Sequence, residues 1–246
     1  MATLLDLLYV ALFAVAFPLW DYFVSGPAFD RQLQADPARA KMRFWTGAIV
    51  YPWLVVAAGA ALWLSNDRSW TQIGFSLPDG WRLWVAVALV LVLVMYMVLA
   101  VASVARDAMA RASVRQQFTG KIADLMPRTR KELVLFGGVS LTAGFCEEFL
   151  FRGYFVWALA PWLGWWGAAA LSLLIFAAGH SYQGWNGVIR TGIVGAIFTL
   201  VVAMSGSLWP AIALHALLDL GQGIVAWLAL REEKAASDVM DLERLM

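Results

Sequence analysis

Long apolar blocks dominate this sequence, and each is about as long as one helical crossing of a bilayer. Hydrophobic residues make up 62% of the 246 residues and charged residues 14%, against about a quarter charged in a typical soluble domain. A transmembrane helix needs about 20 apolar residues. The sequence therefore predicts an all-α protein, a polytopic transmembrane helical bundle of about seven spans. The predicted spans are Leu4–Val24, Phe44–Leu64, Leu83–Val104, Leu133–Leu159, Trp165–Gly179, Val188–Met204 and Trp209–Leu230.

Eight spans are the alternative, with an extra element in the long fourth block or in the basic stretch 106–131. We interpret that stretch either as an amphipathic helix lying on the membrane surface or as a solvated basic connection. The ten-residue alternation that is typical of a transmembrane β-barrel is absent from the sequence. The first 24 residues lack the positive region of a signal peptide, so we interpret them as a retained first span.

Lysine and arginine fall almost entirely on one side of the seven predicted spans. Cytoplasmic loops carry the excess of these residues. The other side has only Arg68 and Arg82, and Arg152 lies inside the fourth span. We therefore expect the N-terminus outside and the C-terminus in the cytoplasm. The basic side collects Arg31, Arg39, Lys41, Arg43, Arg106, Arg111, Arg115, Lys121, Arg128, Arg130, Lys131, Arg190, Arg231, Lys234 and Arg244.

Charge and cysteine usage exclude several classes of function. The net charge is only +1 and no dense basic patch is present, so the sequence predicts no nucleic-acid partner. Cys146 is the single cysteine, which excludes an internal disulfide and a cysteine-based metal cluster.

The second half of the chain combines small residues with ionisable ones. Fourteen of the 20 glycines fall between Leu133 and Leu230, and small residues let membrane helices approach closely. Ionisable residues at membrane depth are expensive and usually mark function. Those in this half are Glu147, Glu148, Arg152, His180, His215 and Asp219.

The stretch EEFLFR, residues 147–152, places three ionisable groups in one span. On an α-helix Glu148 and Arg152 lie four residues apart with the acid first, which favours an ion pair. Glu147 is rotated by about 100° from Glu148 and has no local cation. We therefore expect Glu148 and Arg152 to neutralise each other while Glu147 remains free. The alternative is that all three form a structural polar cluster.

Both histidines of the chain lie in predicted spans. His180 ends the fifth span one turn after Phe176, and His215 lies one turn before Asp219 in the seventh span. Together with Glu147 this set suits water activation by a carboxylate base, with imidazoles that orient water or stabilise an oxyanion. It also suits a hydrolytic zinc site, with Glu147, His180, His215 and Asp219 as possible ligands.

These three motifs, E-E-x-x-x-R, F-x-x-x-H and H-x-x-x-D, resemble the signature of the CPBP family of intramembrane proteases. The family includes the CAAX prenyl endopeptidases of eukaryotes and bacterial proteins linked to bacteriocin processing or self-immunity. The resemblance covers about residues 130–230. It implies an N-terminal part at 1–130 that holds spans 1–3 and the basic loop, a catalytic core at 131–232, and a cytoplasmic tail at 233–246.

The resemblance also implies a role for each residue. Glu147 would activate water with the help of His180, while His215 and Asp219 would stabilise the oxyanion. Supporting roles would fall to Glu148, Arg152 and Phe176. The prenyl-protein branch has asparagine where this sequence has Asp219, and an ionised aspartate cannot donate a hydrogen bond. Asp219 would then be protonated, would orient His215, or would bind a metal, and the cofactor expectation stays open between none and zinc.

The sequence thus predicts an intramembrane endopeptidase of a bacterial inner membrane, metallo- or glutamate-type, that acts on a peptide or membrane-protein substrate in the lipid bilayer. Two alternatives remain: a catalytically idle immunity or adaptor protein that binds a peptide, and a proton-coupled transporter that uses the same groups as a relay. The sequence leaves the substrate and the oligomeric state open.

Overall fold

The computed structural model describes residues 2–118 and 120–245, without the side chains of residues 232–245. The described residues form helices and no strand, which confirms the all-α class. The helices are α1 (Leu4–Ala35), α2 (Pro37–Leu64), α3 (Gly80–Arg106), α4 (Ala108–Gln117), α5 (Gly120–Leu125), α6 (Arg130–Gly179), α7 (Gly184–Ser205) and α8 (Trp209–Leu245). Among the described residues, six helices are long and apolar enough to cross a membrane, namely α1, α2, α3, α6, α7 and α8.

Helix α6 contains two of the predicted spans. It is 50 residues long, and Gly164, with φ of +66°, interrupts its helical geometry. The arms 130–163 and 165–179 then run antiparallel, because the Ser172 hydroxyl donates to the Phe151 carbonyl oxygen at 2.6 Å and the Phe151 and Phe176 rings lie 5.1 Å apart. The fourth and fifth predicted spans are therefore the arms of one helical hairpin, which explains six continuous helices where the sequence predicts seven spans.

The stretch 106–131 forms the short helices α4 and α5, of 10 and 6 residues. Helices of these lengths measure about 15 and 9 Å, so neither can cross a hydrocarbon core of about 30 Å. No additional span is therefore present in this stretch outside residue 119, which the structure does not describe. Arg115 on α4 donates from Nε to the carbonyl oxygen of Ala229 on α8 at 2.7 Å, which attaches α4 to the bundle.

Local sequence signals explain where the long helices begin. Thr3 and Asp6 form a capping box at the start of α1, and Thr129 with Glu132 forms another at the start of α6. Such reciprocal caps satisfy backbone N–H groups that have no partner within the helix. The first span was predicted to end at Val24, but α1 continues to Ala35, because the polar residues beyond the apolar block are still compatible with a helix.

The outward faces of the bundle are apolar, most clearly on α3. Leu91, Val92, Met95 and Tyr96 each expose more than half of their surface. A soluble domain rarely exposes such a continuous apolar face, whereas lipid is a suitable environment for it. The chain is thus an integral membrane protein.

The basic connections gather at one end of the bundle. At this end Lys41 on α2 pairs with Glu132 on α6 at 3.2 Å, and Lys121 on α5 pairs with Asp30 on α1. The predicted tail at 233–246 continues α8 as far as Leu245, and its side chains lie outside the described residues. The division of the chain at residue 130 stays a prediction.

The opposite end of the bundle is held by a buried ion pair. Arg68, in the connection between α2 and α3, donates two hydrogen bonds of 2.8 and 2.7 Å to the fully buried Asp6 carboxylate. Tyr154 on α6 donates to the same carboxylate at 2.5 Å. The guanidinium lies over Trp157, 4.6 Å from the ring centroid, and its hydrogen bonds to Asp6 raise the pKa of Arg68. This cluster fastens α1 and the α2–α3 connection to α6.

We predict that Arg68→Ala destabilises the protein strongly. The substitution leaves the Asp6 carboxylate buried without its cation, which costs about 3–5 kcal/mol. The midpoint of thermal unfolding in detergent should fall well below that of the wild type. Arg82→Ala is the matched control, because Arg82 lies in an exposed position and contacts the Trp81 ring at 6.0 Å. Equal midpoints for the two variants would contradict the prediction.

Candidate functional site

A close approach between α6 and α8 creates the site. A methyl group placed on Gly144 would lie 2.8 Å from the backbone nitrogen and 3.0 Å from the Cα of Ala216, so only glycine fits there. Glu147 and Glu148 follow Gly144 by about one turn on α6, and His215 immediately precedes Ala216 on α8. The missing side chain at Gly144 therefore brings the glutamates of α6 within reach of His215.

Glu148 connects Arg152 and His215 in the interior of the bundle. Its side chain is fully buried, and Oε1 accepts from Arg152 Nη1 at 2.9 Å and from His215 Nδ1 at 2.8 Å. The segment Glu148–Phe155 is π-helical, a local widening of the helix that is frequent at functional sites. The four-residue ion pair expected from the sequence is thus present, and it extends to a histidine on another helix.

Arg152 fastens α7 to the site. Its Nη2 donates to the backbone carbonyl oxygen of Gly195 at 3.0 Å, and its guanidinium lies 4.2 Å from the ring centroid of Phe176. A methyl group on Gly195 would lie 2.7 Å from Arg152 Nη2, so a side chain at this position would displace the guanidinium. Arg152 therefore neutralises Glu148 and holds α7 and the second arm of α6 in place.

His215 lies among three carboxylates. Its Nδ1 must carry the proton in the hydrogen bond to Glu148, because an ionised carboxylate only accepts. Its Nε2 lies 3.6 Å from Asp219 Oδ2 and 3.8 Å from Glu147 Oε2. The ring lies 5.2 Å from that of Phe198 on α7, tilted by 30°. Nε2 is thus the ring nitrogen of His215 that faces Glu147 and Asp219.

The Glu147 carboxylate lies at a long 3.8 Å from His215 Nε2 and is not hydrogen-bonded to it. Its Oε2 is buried and has no hydrogen bond among the described residues, while the side chain as a whole keeps 27% of its surface exposed. A buried polar oxygen without a partner costs free energy, so such an atom calls for a ligand or a solvent molecule. Glu147 is therefore the described group best placed to act on a reactant.

His180 presents one free ring nitrogen. Its Nδ1 lies 2.8 Å from the Phe176 carbonyl oxygen, and because a carbonyl can only accept, Nδ1 carries the proton and Nε2 is left as an acceptor. The ring packs 4.7 Å from that of Phe176. The Phe176 ring also lies 6.4 Å from the ring of His215, so His180 and His215 both lie beside the same aromatic ring.

The structure thus brings together every residue that the sequence singled out, from three different segments: the first arm of α6, the end of its second arm, and α8. The sequence analysis missed Phe198, and it indicated Gly144 and Gly195 only as part of a closely packed region, not as contacts of the ionisable groups. The glycine-rich composition indicated close packing in this half of the chain. It did not indicate which glycine faces which helix, because those pairs are remote in sequence.

The possible metal ligands are not arranged as a metal centre. Among the residues that the structure describes, no group of three or more His, Cys, Asp or Glu side chains is placed to hold a metal ion. Among the described residues, the free nitrogen of His180 is not joined to the Glu147–His215–Asp219 contacts by any ion pair. We therefore assign no reaction step to a metal.

The fold and the site define a class, that of polytopic membrane proteins with a buried glutamate and histidine site built from helices. Residues 129–221 match the family model of the type II CAAX prenyl endopeptidases, Rce1-like. The matched region begins at the N-cap of α6 and includes the whole site, and the match is consistent with the CPBP family. The match covers less than half of the chain. No curated protein and no solved structure matches it significantly.

We predict that Gly144→Ala separates α6 from α8 and destabilises the protein. The added methyl group meets the backbone of Ala216, and overpacking of this kind costs about 1–3 kcal/mol. Gly137→Ala is the matched control on the same helix, since a methyl group there would lie at an ordinary 3.7 Å from Leu220 Cδ1. Thermal unfolding in detergent should show a lower midpoint for Gly144→Ala alone. The prediction is wrong when both variants unfold at the wild-type temperature.

Proposed function

We propose that the protein is an intramembrane endopeptidase in which Glu147, assisted by His180, activates water for attack on a peptide bond. The observation that carries this proposal is the Glu147 carboxylate oxygen, which accepts no hydrogen bond among the described residues, beside a second glutamate that Arg152 already neutralises. A carboxylate that no arginine or lysine holds in a hydrogen bond is free to accept a proton, as a general base must. The Rce1-like match supports protease activity on a peptide substrate in the bilayer.

In the proposed reaction, Glu147 accepts a proton from water, and the hydroxide oxygen attacks the carbonyl carbon of the scissile bond. His180 accepts a hydrogen bond from the same water through Nε2 and orients it. The protonated Glu147 then donates its proton to the amide nitrogen as the carbon–nitrogen bond breaks. One water molecule is consumed, and the products are a carboxylic acid and an amine.

His215 and Asp219 are proposed to stabilise the tetrahedral oxyanion. Glu148 accepts the hydrogen bond from Nδ1–H, so His215 can donate to the oxyanion from Nε2 only in its doubly protonated form. Three carboxylates lie within 4 Å of its ring nitrogens and balance the charge of the imidazolium. Asp219, which as an ionised group cannot donate, then orients His215 and compensates its charge. Preorganised donors of this kind are usually the largest single contribution to catalysis.

We predict that Glu147→Ala and His180→Ala abolish peptide cleavage while the protein stays folded. Loss of a general base typically lowers the rate by about 10²–10⁴-fold. The measurement is cleavage of internally quenched peptides with an apolar core by purified protein in detergent, together with its unfolding midpoint. Glu147→Gln is the matched control for shape, because the amide is nearly isosteric but cannot accept the proton, and it should be as inactive as Glu147→Ala.

Glu148→Ala should behave differently. It leaves the buried Arg152 without its acid, which costs about 3–5 kcal/mol, so reduced yield and a lower unfolding midpoint are expected. An active and normally expressed Glu147→Ala variant would contradict the water-activation role. A wild type that cleaves none of the peptides, yet binds them, would instead favour an idle peptide-binding protein.

We also propose that the chain lies in a bacterial inner membrane with its N-terminus outside and its C-terminus in the cytoplasm. The excess of lysine and arginine at the end of the bundle that holds α4 and α5 supports this orientation. In the same proposal residues 131–232 are the catalytic core, residues 1–130 its N-terminal part and residues 233–246 a cytoplasmic tail.

Single-cysteine labelling tests the orientation. In a Cys146→Ala background, Leu77→Cys lies in the α2–α3 connection and Gln116→Cys on α4, and both positions are exposed. A membrane-impermeant maleimide added to spheroplasts should label Leu77→Cys and leave Gln116→Cys unlabelled until the membrane is permeabilised. The reverse pattern would contradict the proposed orientation.

A further inference from the structure

The 3₁₀ turn Ser181–Gln183 connects the second arm of α6 to α7 and carries a tyrosine next to the site. The Tyr182 ring lies 6.0 Å from the His180 ring, tilted by 31°. On its other side it lies 6.2 Å from the ring of Phe44 on α2. Tyr182 therefore extends the wall of the site beyond His180 toward α2.

The hydroxyl of Tyr182 is only partly used. It accepts a hydrogen bond from Gln183 Nε2 at 3.0 Å, which occupies an acceptor position but leaves the O–H donor uncommitted. No acceptor for this proton occurs among the described residues. The side chain is 39% exposed, so the hydroxyl is open to a ligand.

The contact with His180 places the Tyr182 ring on the wall of the site. The charges of the Glu147 and Asp219 carboxylates also act on its hydroxyl, which is consistent with this position. Glu147 is the proposed base, and Asp219 stands beside the proposed oxyanion donor. Tyr182 and His180 thus line the same side of the site.

A peptide bound in the site needs a donor. A peptide bond open to attack by water cannot remain in a regular helix, so the carbonyl groups next to it lose their hydrogen-bond partners. In a membrane, unsatisfied backbone groups cost several kcal/mol each. A donor that meets one such carbonyl therefore stabilises the bound peptide without taking part in the chemistry.

We propose that the Tyr182 hydroxyl donates a hydrogen bond to a backbone carbonyl of the substrate peptide next to the scissile bond. This inference rests on the proposed function and identifies a substrate-contacting residue outside the E-E-x-x-x-R, F-x-x-x-H and H-x-x-x-D motifs. The contact is made in the bound state and in the transition state alike, so it acts on KM and not on kcat.

Tyr182→Phe tests this contact, because it removes the hydroxyl and keeps the ring between His180 and Phe44. With an internally quenched peptide that the wild type cleaves, KM should rise about tenfold, the effect of one lost hydrogen bond, while kcat and the unfolding midpoint stay at the wild-type values. Tyr96→Phe is the matched control, since Tyr96 lies on the outward face of α3 and is 61% exposed. It should match the wild type in all three quantities.

Three results would overturn the inference. An unchanged KM in Tyr182→Phe would show that the hydroxyl does not contact the peptide. A joint fall in kcat and in the unfolding midpoint would show that the hydroxyl supports the fold instead. In both cases the proposed peptidase function stands as long as the wild type cleaves. When the wild type itself cleaves none of the peptides, the proposed function fails and the inference fails with it.

Discussion

The structure depends on one buried carboxylate, that of Glu148. A charge at membrane depth is tolerated only when the surrounding protein compensates it, and here Arg152 and His215 both donate to the same oxygen, Oε1. Arg152 also donates to the backbone carbonyl oxygen of Gly195. The Glu148 carboxylate and its two partners therefore join α6, α7 and α8. Because Arg152 already pairs with Glu148, it does not neutralise Glu147, and the two adjacent glutamates differ for this reason.

Close helix packing makes this arrangement possible. Lipid tails are as apolar as the side chains, so association of membrane helices depends on van der Waals contact and interhelical hydrogen bonds. Because Gly144 has no side chain, α8 can pack closely against α6 there, and Gly195 leaves room for the Arg152 guanidinium in the same way. Within the first arm of α6, the Asp6–Arg68–Tyr154 cluster fastens the same π-helical segment at its other end. The site is thus held by polar contacts at both ends of one short stretch.

The sequence predicts the apolar spans and the set of ionisable residues well, because both follow from composition over 20 residues and from spacing within one helix. It could not predict that Glu148 binds His215, since this contact joins positions 67 residues apart. The π-helical segment was also missed. Its backbone hydrogen bonds span five residues where those of an α-helix span four, and this difference does not change the hydropathy pattern of the sequence. The hairpin at Gly164 was predicted only as a gap between two spans, and α1 extends beyond its apolar block because hydropathy does not report helix ends.

We propose that the Glu147 carboxylate, and not a metal ion, activates the water. The most direct test is elemental analysis of the purified protein, made on the same preparation in which peptide cleavage is assayed. A preparation without stoichiometric metal should cleave the peptide, and cleavage should survive a chelator. Near-stoichiometric zinc in the active wild type, lost in both His215→Ala and Asp219→Asn, would contradict this proposal and make these residues metal ligands.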